Sequence, residues 1–217
     1  MCNFFRLIPT QYTNEFFKEG SIRLTNVKKW RMDENKAIED KKEGYFNNQI
    51  IDSDTGAKLI LNNVDNPNNE IIGNFYGMSF TTEINVGTCV DFAFDGFLVQ
   101  NIEYFAQLIN IKVPCYSAFE LAKCNYVKGG LYQRQDSFKK NGMISEQGTL
   151  LIGNGIFQIA MNNQNDIRHL FTKDILYSDQ HEYRIIWQTE KDFGDYLYLK
   201  CPELRQLCHR ITGINNF

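Results

Sequence analysis

The residues best suited to chemistry stand together late in the chain, in Gln180-His181-Glu182-Tyr183-Arg184 at the start of an apolar run, Ile185-Ile186-Trp187. Side chains two apart on an extended strand share a face, so Gln180 and Glu182 are expected to project together. A carboxylate and an amide so placed suit cleavage of a glycosidic bond. The carboxylate stabilises the oxocarbenium-like state and the amide orients an acceptor. The same spacing also serves a plainer purpose, because Glu182 can pair with Arg184 or with a lysine of another strand. A second group, Asp33, Glu34, Glu39, Asp40 and Glu43, is dense enough to consider Mg²⁺ or Ca²⁺. Its spacing fits no EF-hand loop and Lys36, Lys41 and Lys42 interleave with it, so a solvated, salt-laced loop is the reading.

Other chemistries lack their residues. There is no phosphate-binding G-x-x-x-x-G-K-[ST], no G-x-G-x-x-G and no G-x-S-x-G elbow. The three His form no H-E-x-x-H pair, and the six Cys form no C-x-x-C, so no metal is expected. Cys201, Cys208 and His209 would offer three ligands from one segment. A terminal helix with one buried Cys and a surface His accounts for them more simply.

Three short segments in order carry a resemblance: Ser21-Ile22-Arg23-Leu24 on an early strand, Ser79-Phe80-Thr81 on a middle one, and Gln180-His181-Glu182 on a late one. Arg, then Ser-Thr-Ser, then Gln/Glu-x-Glu resembles the arrangement of ADP-ribosyltransferases, with Phe80 in place of the central Thr. The short helix ending at Gly20 before the Arg-bearing strand is similar to the start of that fold. The chain also resembles an uncharacterised bacterial and phage family with G-S-I-R near the N-terminus, an acidic stretch ending in Glu43-Gly44, and a late Glu182-Tyr183-Arg184 strand. The first resemblance implies NAD as substrate. Arg23 would contact the nicotinamide ribose or a phosphate, and Ser79, with Thr81, would brace the site floor. Glu182 would hold the ribose 2′-hydroxyl, Gln180 would orient the acceptor, and Tyr45 or Tyr76 would stack on nicotinamide.

The elements that must position these residues read as many short strands with few helices. A helix is expected over Gln11 to Glu19, capped by Gly20, and a strand over Ser21 to Thr25. Residues 26–56 read as loop, Lys58 to Leu61 and Ile71 to Thr82 as strands, and 86–99 as two strands around Asp95-Gly96. Asn101 caps a helix over Ile102 to Ile109. Ile111 to Tyr116 reads as a strand and Ser117 to Lys123 as a short helix or turn. Residues 126–132 and 148–160 are strand-rich, and Asp166 to Phe171 is helical in pattern. His181 to Gln188 and Tyr196 to Leu199 read as a closing hairpin, and Pro202 opens a helix through Arg210. The fold class expected is α+β: one domain, 1–217, of short, mostly antiparallel strands in a split sheet with peripheral helices.

Composition narrows the partners. With 23 Lys and Arg against 26 Asp and Glu, net −3, no broad nucleic-acid surface is expected. No stretch of 18 apolar residues offers a membrane span. The start of the chain carries no secretory pattern and the cysteines read as reduced thiols, Cys89 and Cys115 among them buried, so the expected location is cytoplasmic. Asp91 and Asp95 alternate with Phe92 and Phe94 and predict one wet face. Aromatics in loop-like segments, Trp30, Tyr45, Phe46 and Phe193, support a second class of function. This is a non-catalytic module binding a nucleotide-like ligand or a protein partner in bacterial and phage conflict.

Overall fold

A computed structural model describes residues 3–30, 46–52, 58–61, 74–85, 95–128, 132–138, 150–153, 156–159 and 167–213; side chains are described within 3–30, 74–85, 95–128 and 167–213. In chain order the elements are β1 (Phe4–Leu7), α1 (Thr10–Glu19), β2 (Ser21–Asn26), the single turn α2 (Val27–Trp30), β3 (Phe46–Asp52), β4 (Lys58–Leu61), β5 (Asn74–Thr81), β6 (Gly96–Val99) and α3 (Ile102–Asn110). They continue with β7 (Tyr116–Lys123), β8 (Asn125–Val127), β9 (Tyr132–Phe138), β10 (Leu150–Gly153), β11 (Ile156–Ile159) and β12 (Thr172–Asp174). The series ends with β13 (Glu182–Thr189), β14 (Tyr196–Lys200) and β15 (Cys208–Ile211). Short 3₁₀ turns cover Arg168–Phe171, Ile175–Gln180 and Pro202–Leu207.

Eight strands build the principal sheet, and β5 is its branch point. Along one edge β5 pairs with β13 over its whole length, from Asn74 to Thr81, and β13 carries β7 beyond it. The other edge of β5 is shared. Near its start it pairs with β2, Thr25 opposite Gly77, and β14 lies outside β2. At its end it pairs with β1, Phe5 opposite Thr81, followed by β6 and β15. The sheet therefore forks, with β1 and β2 leaving the same edge of β5 on diverging branches. The expected α+β fold with a split, mostly antiparallel sheet is the fold observed.

One face of this sheet is the core. Tyr76, Met78 and Phe80 of β5, Ile185 and Trp187 of β13, and Ile22 and Leu24 of β2 pack beneath Phe16 of α1 and Phe105 and Ile109 of α3. Those helices form where local signals are strongest. The Asn101 side chain accepts from the Tyr104 N–H at 3.0 Å and starts α3. Gly20, at φ 71°, closes α1 by donating its N–H to the Phe16 carbonyl at 2.7 Å. A side chain at Gly20 would also collide with the backbone of Cys201 and Pro202. On the opposite face Val27, Trp30, Phe75, Leu170, Phe171 and Ile186 make a second apolar cluster.

Several expectations are corrected. The late strands are not a hairpin, because β13 pairs with β5 and β7 whereas β14 crosses to β2. The link between them is held by the Tyr76 hydroxyl, which accepts from the Phe193 N–H at 2.6 Å and lies 2.9 Å from Asp192 Oδ1. Segment 117–123 belongs to β7 and Ile111 to Cys115 is a turn, the reverse of the expected order. The helix expected from Pro202 through Arg210 stops at Leu207, and Cys208–Ile211 instead continue the sheet beside β6. The stretch 26–56, read as loop, contains α2 and β3. Cys115 is exposed rather than buried, in left-handed backbone at φ 50°. Asp95 is buried rather than wet, accepting from the Gly96 N–H and lying 3.6 Å from Arg210. Cys89 and Asp91 lie outside the described residues.

Candidate functional site

Alternation along paired strands places Arg23, Ser79, Thr81, Glu182 and Arg184 on one face of the sheet. Glu182 is opposite Thr81, Arg184 is opposite Ser79, and Thr25, on the same face as Arg23, is opposite Gly77. Arg23, Ser79 and Glu182 thus occupy three adjacent strands, β2, β5 and β13. Their surroundings differ sharply.

Glu182 is enclosed, with 3% of its surface exposed. Arg184 grips it with two donors, Nε to Oε1 at 2.8 Å and Nη2 to Oε2 at 3.2 Å, and gives Nη1 to the Leu170 carbonyl. Lys173 adds Nζ to Oε2 at 2.9 Å and donates also to Gln180 Oε1 at 2.8 Å. Burial by itself would raise the Glu182 pKa. The charges of Arg184 and then Lys173, with hydrogen bonds from Arg184 and Ser79, outweigh it and hold the carboxyl well below the usual carboxylate range. The Glu182 N–H donates to the Tyr126 hydroxyl at 2.7 Å. Burial, followed by the Glu182 charge, pushes that phenol above its ordinary value.

The fold makes this enclosure from local choices. Trp30 lies over the Arg184 guanidinium, 4.9 Å from ring to charge, and Gly77 is the position that lets the indole sit there, since any Cβ would overlap its ring. Leu170 and Phe171 close the other side. Gln180, expected beside Glu182 on a strand, belongs instead to the preceding 3₁₀ turn. His181, left-handed at φ 44°, separates the two. Gln180 reaches the carboxylate through Lys173 and is itself buried.

Arg23 has a different environment. It is half-buried between the rings of Tyr12 and Tyr196, at 5.2 and 4.6 Å, and lines a cavity in the fork of the sheet. That cavity, of about 70 Å³, is walled by Arg6, Arg23, Tyr12, Glu15, Met78 and Tyr198, among others. Arg6 reaches into the fork from β1 and donates Nη1 to the Ser79 carbonyl. Burial first, then the positive charge of Arg23, lowers the Arg6 pKa to about 10, with Glu182 opposing. Two cations thus face a partly apolar cavity with one carboxylate, Glu15, in its wall.

Of the remaining candidates, Thr81 is buried, its hydroxyl donating to the Glu83 carbonyl at 2.6 Å. Tyr76 cannot stack on a ligand as expected: it is fully buried in the core and its hydroxyl is committed to the 192–194 link. Trp30 and Phe193, read as aromatics of loop-like segments suited to a partner, pack against the two apolar clusters. Tyr45 and the side chain of Phe46 lie outside the described residues, as do Asp33 to Glu43. Among the described residues no group of three or more His, Cys, Asp or Glu is placed to hold a metal ion.

Arg6 and Lys173 were missed from the sequence. Arg6 is a charge inside the apolar run Phe4-Phe5-Arg6-Leu7, a usable signal for a buried cation, whereas nothing in the spacing of Lys173 points to Glu182. In comparison with known proteins, the chain matches no protein-family model, no curated protein and no solved structure. No helix among the described residues is long and apolar enough to cross a membrane.

Proposed function

We propose that the protein is a binding module for a nucleotide-like ligand, whose phosphoryl group enters the fork cavity between Arg6 and Arg23. The observation that carries this reading is the pairing of two cations, mutually repelling and short of counter-charge, with aromatic walls in a cavity that opens to solvent. Anionic groups are favoured there by both guanidinium forks, and a base has a platform on Tyr198, 67% exposed beside them. The buried thiols of Cys124, Cys201 and Cys208, none joined in a disulfide, are consistent with a reducing, cytoplasmic location as part of the same proposal.

Calorimetry of the full chain with AMP and NAD tests the reading. Binding that weakens with salt, and weakens about tenfold in Arg23→Ala, is expected. Absence of binding by either nucleotide at millimolar concentration sinks it.

A second reading, an NAD-consuming ADP-ribosyltransferase or glycohydrolase using Glu182 and Gln180, draws support from one feature. Arg23, Ser79 and Glu182 share a face on adjacent strands, and Ser79 is among the groups that lower the Glu182 pKa. For Glu182 to reach an oxocarbenium centre, the Arg184 and Lys173 contacts must first release it. Nicotinamide release from NAD by the wild type and not by Glu182→Gln would favour this reading over simple binding.

A further inference from the structure

The fork contains a second cavity, of about 20 Å³, lined by Phe5, Arg6, Leu7, Ser79, Phe80 and Thr81. It lies where the ladders stop. Continuing Thr25–Gly77 would bring Arg23 opposite Ser79, and continuing Phe5–Thr81 would bring Leu7 there, yet neither pairing is made. The Ser79 carbonyl is satisfied by the Arg6 guanidinium instead. Arg6 is the residue that lines both cavities.

Size gives this arrangement a consequence. Ligand sites commonly span about 300–1,000 Å³, so neither cavity admits more than a small group while Arg6 stands between them. Phe5, Leu7, Ser79 and Thr81 alternate onto the face that carries Glu182, whereas Met78 and Phe97 alternate onto the core face. Withdrawal of one side chain would therefore open a passage through the gap in the sheet.

We propose that Arg6 is an anion-released plug: a phosphoryl group in the fork cavity draws its guanidinium off the Ser79 carbonyl and joins the two cavities into one site. This rests on the nucleotide-binding reading and adds its regulation. A phosphoryl group offers the guanidinium an opposite charge and bidentate geometry, where the Ser79 carbonyl is a neutral acceptor of a single bond. An anion seated between Arg6 and Arg23 also relieves their mutual repulsion. Among the described residues that line the fork cavity or bond within the buried cluster, Arg6, Arg23, Lys173 and Arg184 are cationic and Glu15 and Glu182 are anionic. Of these, Glu182 is already held by Lys173 and Arg184, whereas Arg6 and Arg23 share only Glu15 in the wall of an open cavity.

Inorganic pyrophosphate is the probe. A crystal structure of the full chain with pyrophosphate is expected to show Arg6 Nη1 on the anion, more than 3.5 Å from the Ser79 oxygen and with the two cavities continuous. Calorimetry should show pyrophosphate binding about tenfold weaker in Arg6→Met. Pyrophosphate bound between Arg6 and Arg23 with the Arg6–Ser79 bond intact overturns the plug and leaves nucleotide binding standing. Affinity unchanged in Arg6→Met overturns it equally. Failure of pyrophosphate, AMP and NAD all to bind the wild type removes the underlying reading. If Arg6→Met does not fold, the wild-type complex decides by the Arg6–Ser79 distance alone.

Discussion

The fork and the Glu182 cluster are built from the same residue types on the same sheet, yet they are opposites. Around Glu182 both charged partners are buried: the carboxylate is gripped by Arg184 and Lys173, with Trp30, Leu170 and Phe171 packed about them. Around Arg6 and Arg23 no carboxylate among the described residues is gripped in this way, and the cavity they line meets solvent. The contrast teaches that an ion pair sealed by apolar neighbours is committed to the fold, because opening it exposes charges to a medium that cannot solvate them. Unbalanced charge at an opening remains free to meet a ligand.

Breaking the sealed side should have the largest effect. Arg184→Met leaves Glu182 buried with half its partners gone and should cost about 3–5 kcal/mol, lowering the melting midpoint by roughly 10 °C. Differential scanning calorimetry reads this directly, and a change below about 1 kcal/mol would mean that the cluster opens easily.

Acid should act on the same group with a definite sign. The folded-state pKa of Glu182 is depressed below its ordinary 4.5, so the unfolded chain takes up that proton first. The stability it contributes is complete above about pH 5 and drains away as pH falls through the ordinary carboxylate range toward the lower folded value. Urea midpoints measured between pH 7 and pH 3 should fall less steeply in Glu182→Gln than in the wild type. Parallel curves would show that other groups dominate.

The open side should respond in reverse order. Arg23→Ala is expected to change stability by no more than about 1 kcal/mol, since it removes two exposed-edge cation–π contacts, while nucleotide affinity falls about tenfold. Equal losses of stability and binding would erase the distinction between the regions. Smallest of all is Lys200→Ala at the exposed Glu19–Lys200 pair, 3.0 Å apart, where no measurable shift in the unfolding midpoint is expected.

The parts of this fold legible in the sequence are those decided locally. Phe16 one turn beyond Tyr12 and Gly20 after Glu19 are enough to define α1 and its end, and Asn101 marks the start of α3. Strands β2, β5 and β13 show as short β-rich runs. Segment 117–123 misleads because Ala, Leu, Glu and Lys favour helix, while pairing with β13 makes it a strand. The hairpin assigned to β13 and β14 misleads for a related reason: adjacency in sequence carries no information about which edge of β5 or β2 is vacant.

For the candidate site, the residue types and order of Arg23, Ser79 and Glu182 follow from the sequence alone, as does the Glu182–Arg184 pairing, two residues apart on one strand. What tertiary structure alone decided is which charges are satisfied. Lys173 comes to Glu182 from β12, and Trp30 covers Arg184 from α2 because Gly77 makes room. Arg6 stands in a gap that exists only because β1 and β2 leave the same edge of β5. Spacing along a chain sets which face a side chain takes. Solvation and counter-charge depend on neighbours brought from distant segments, and they separate a sealed ion pair from an open site.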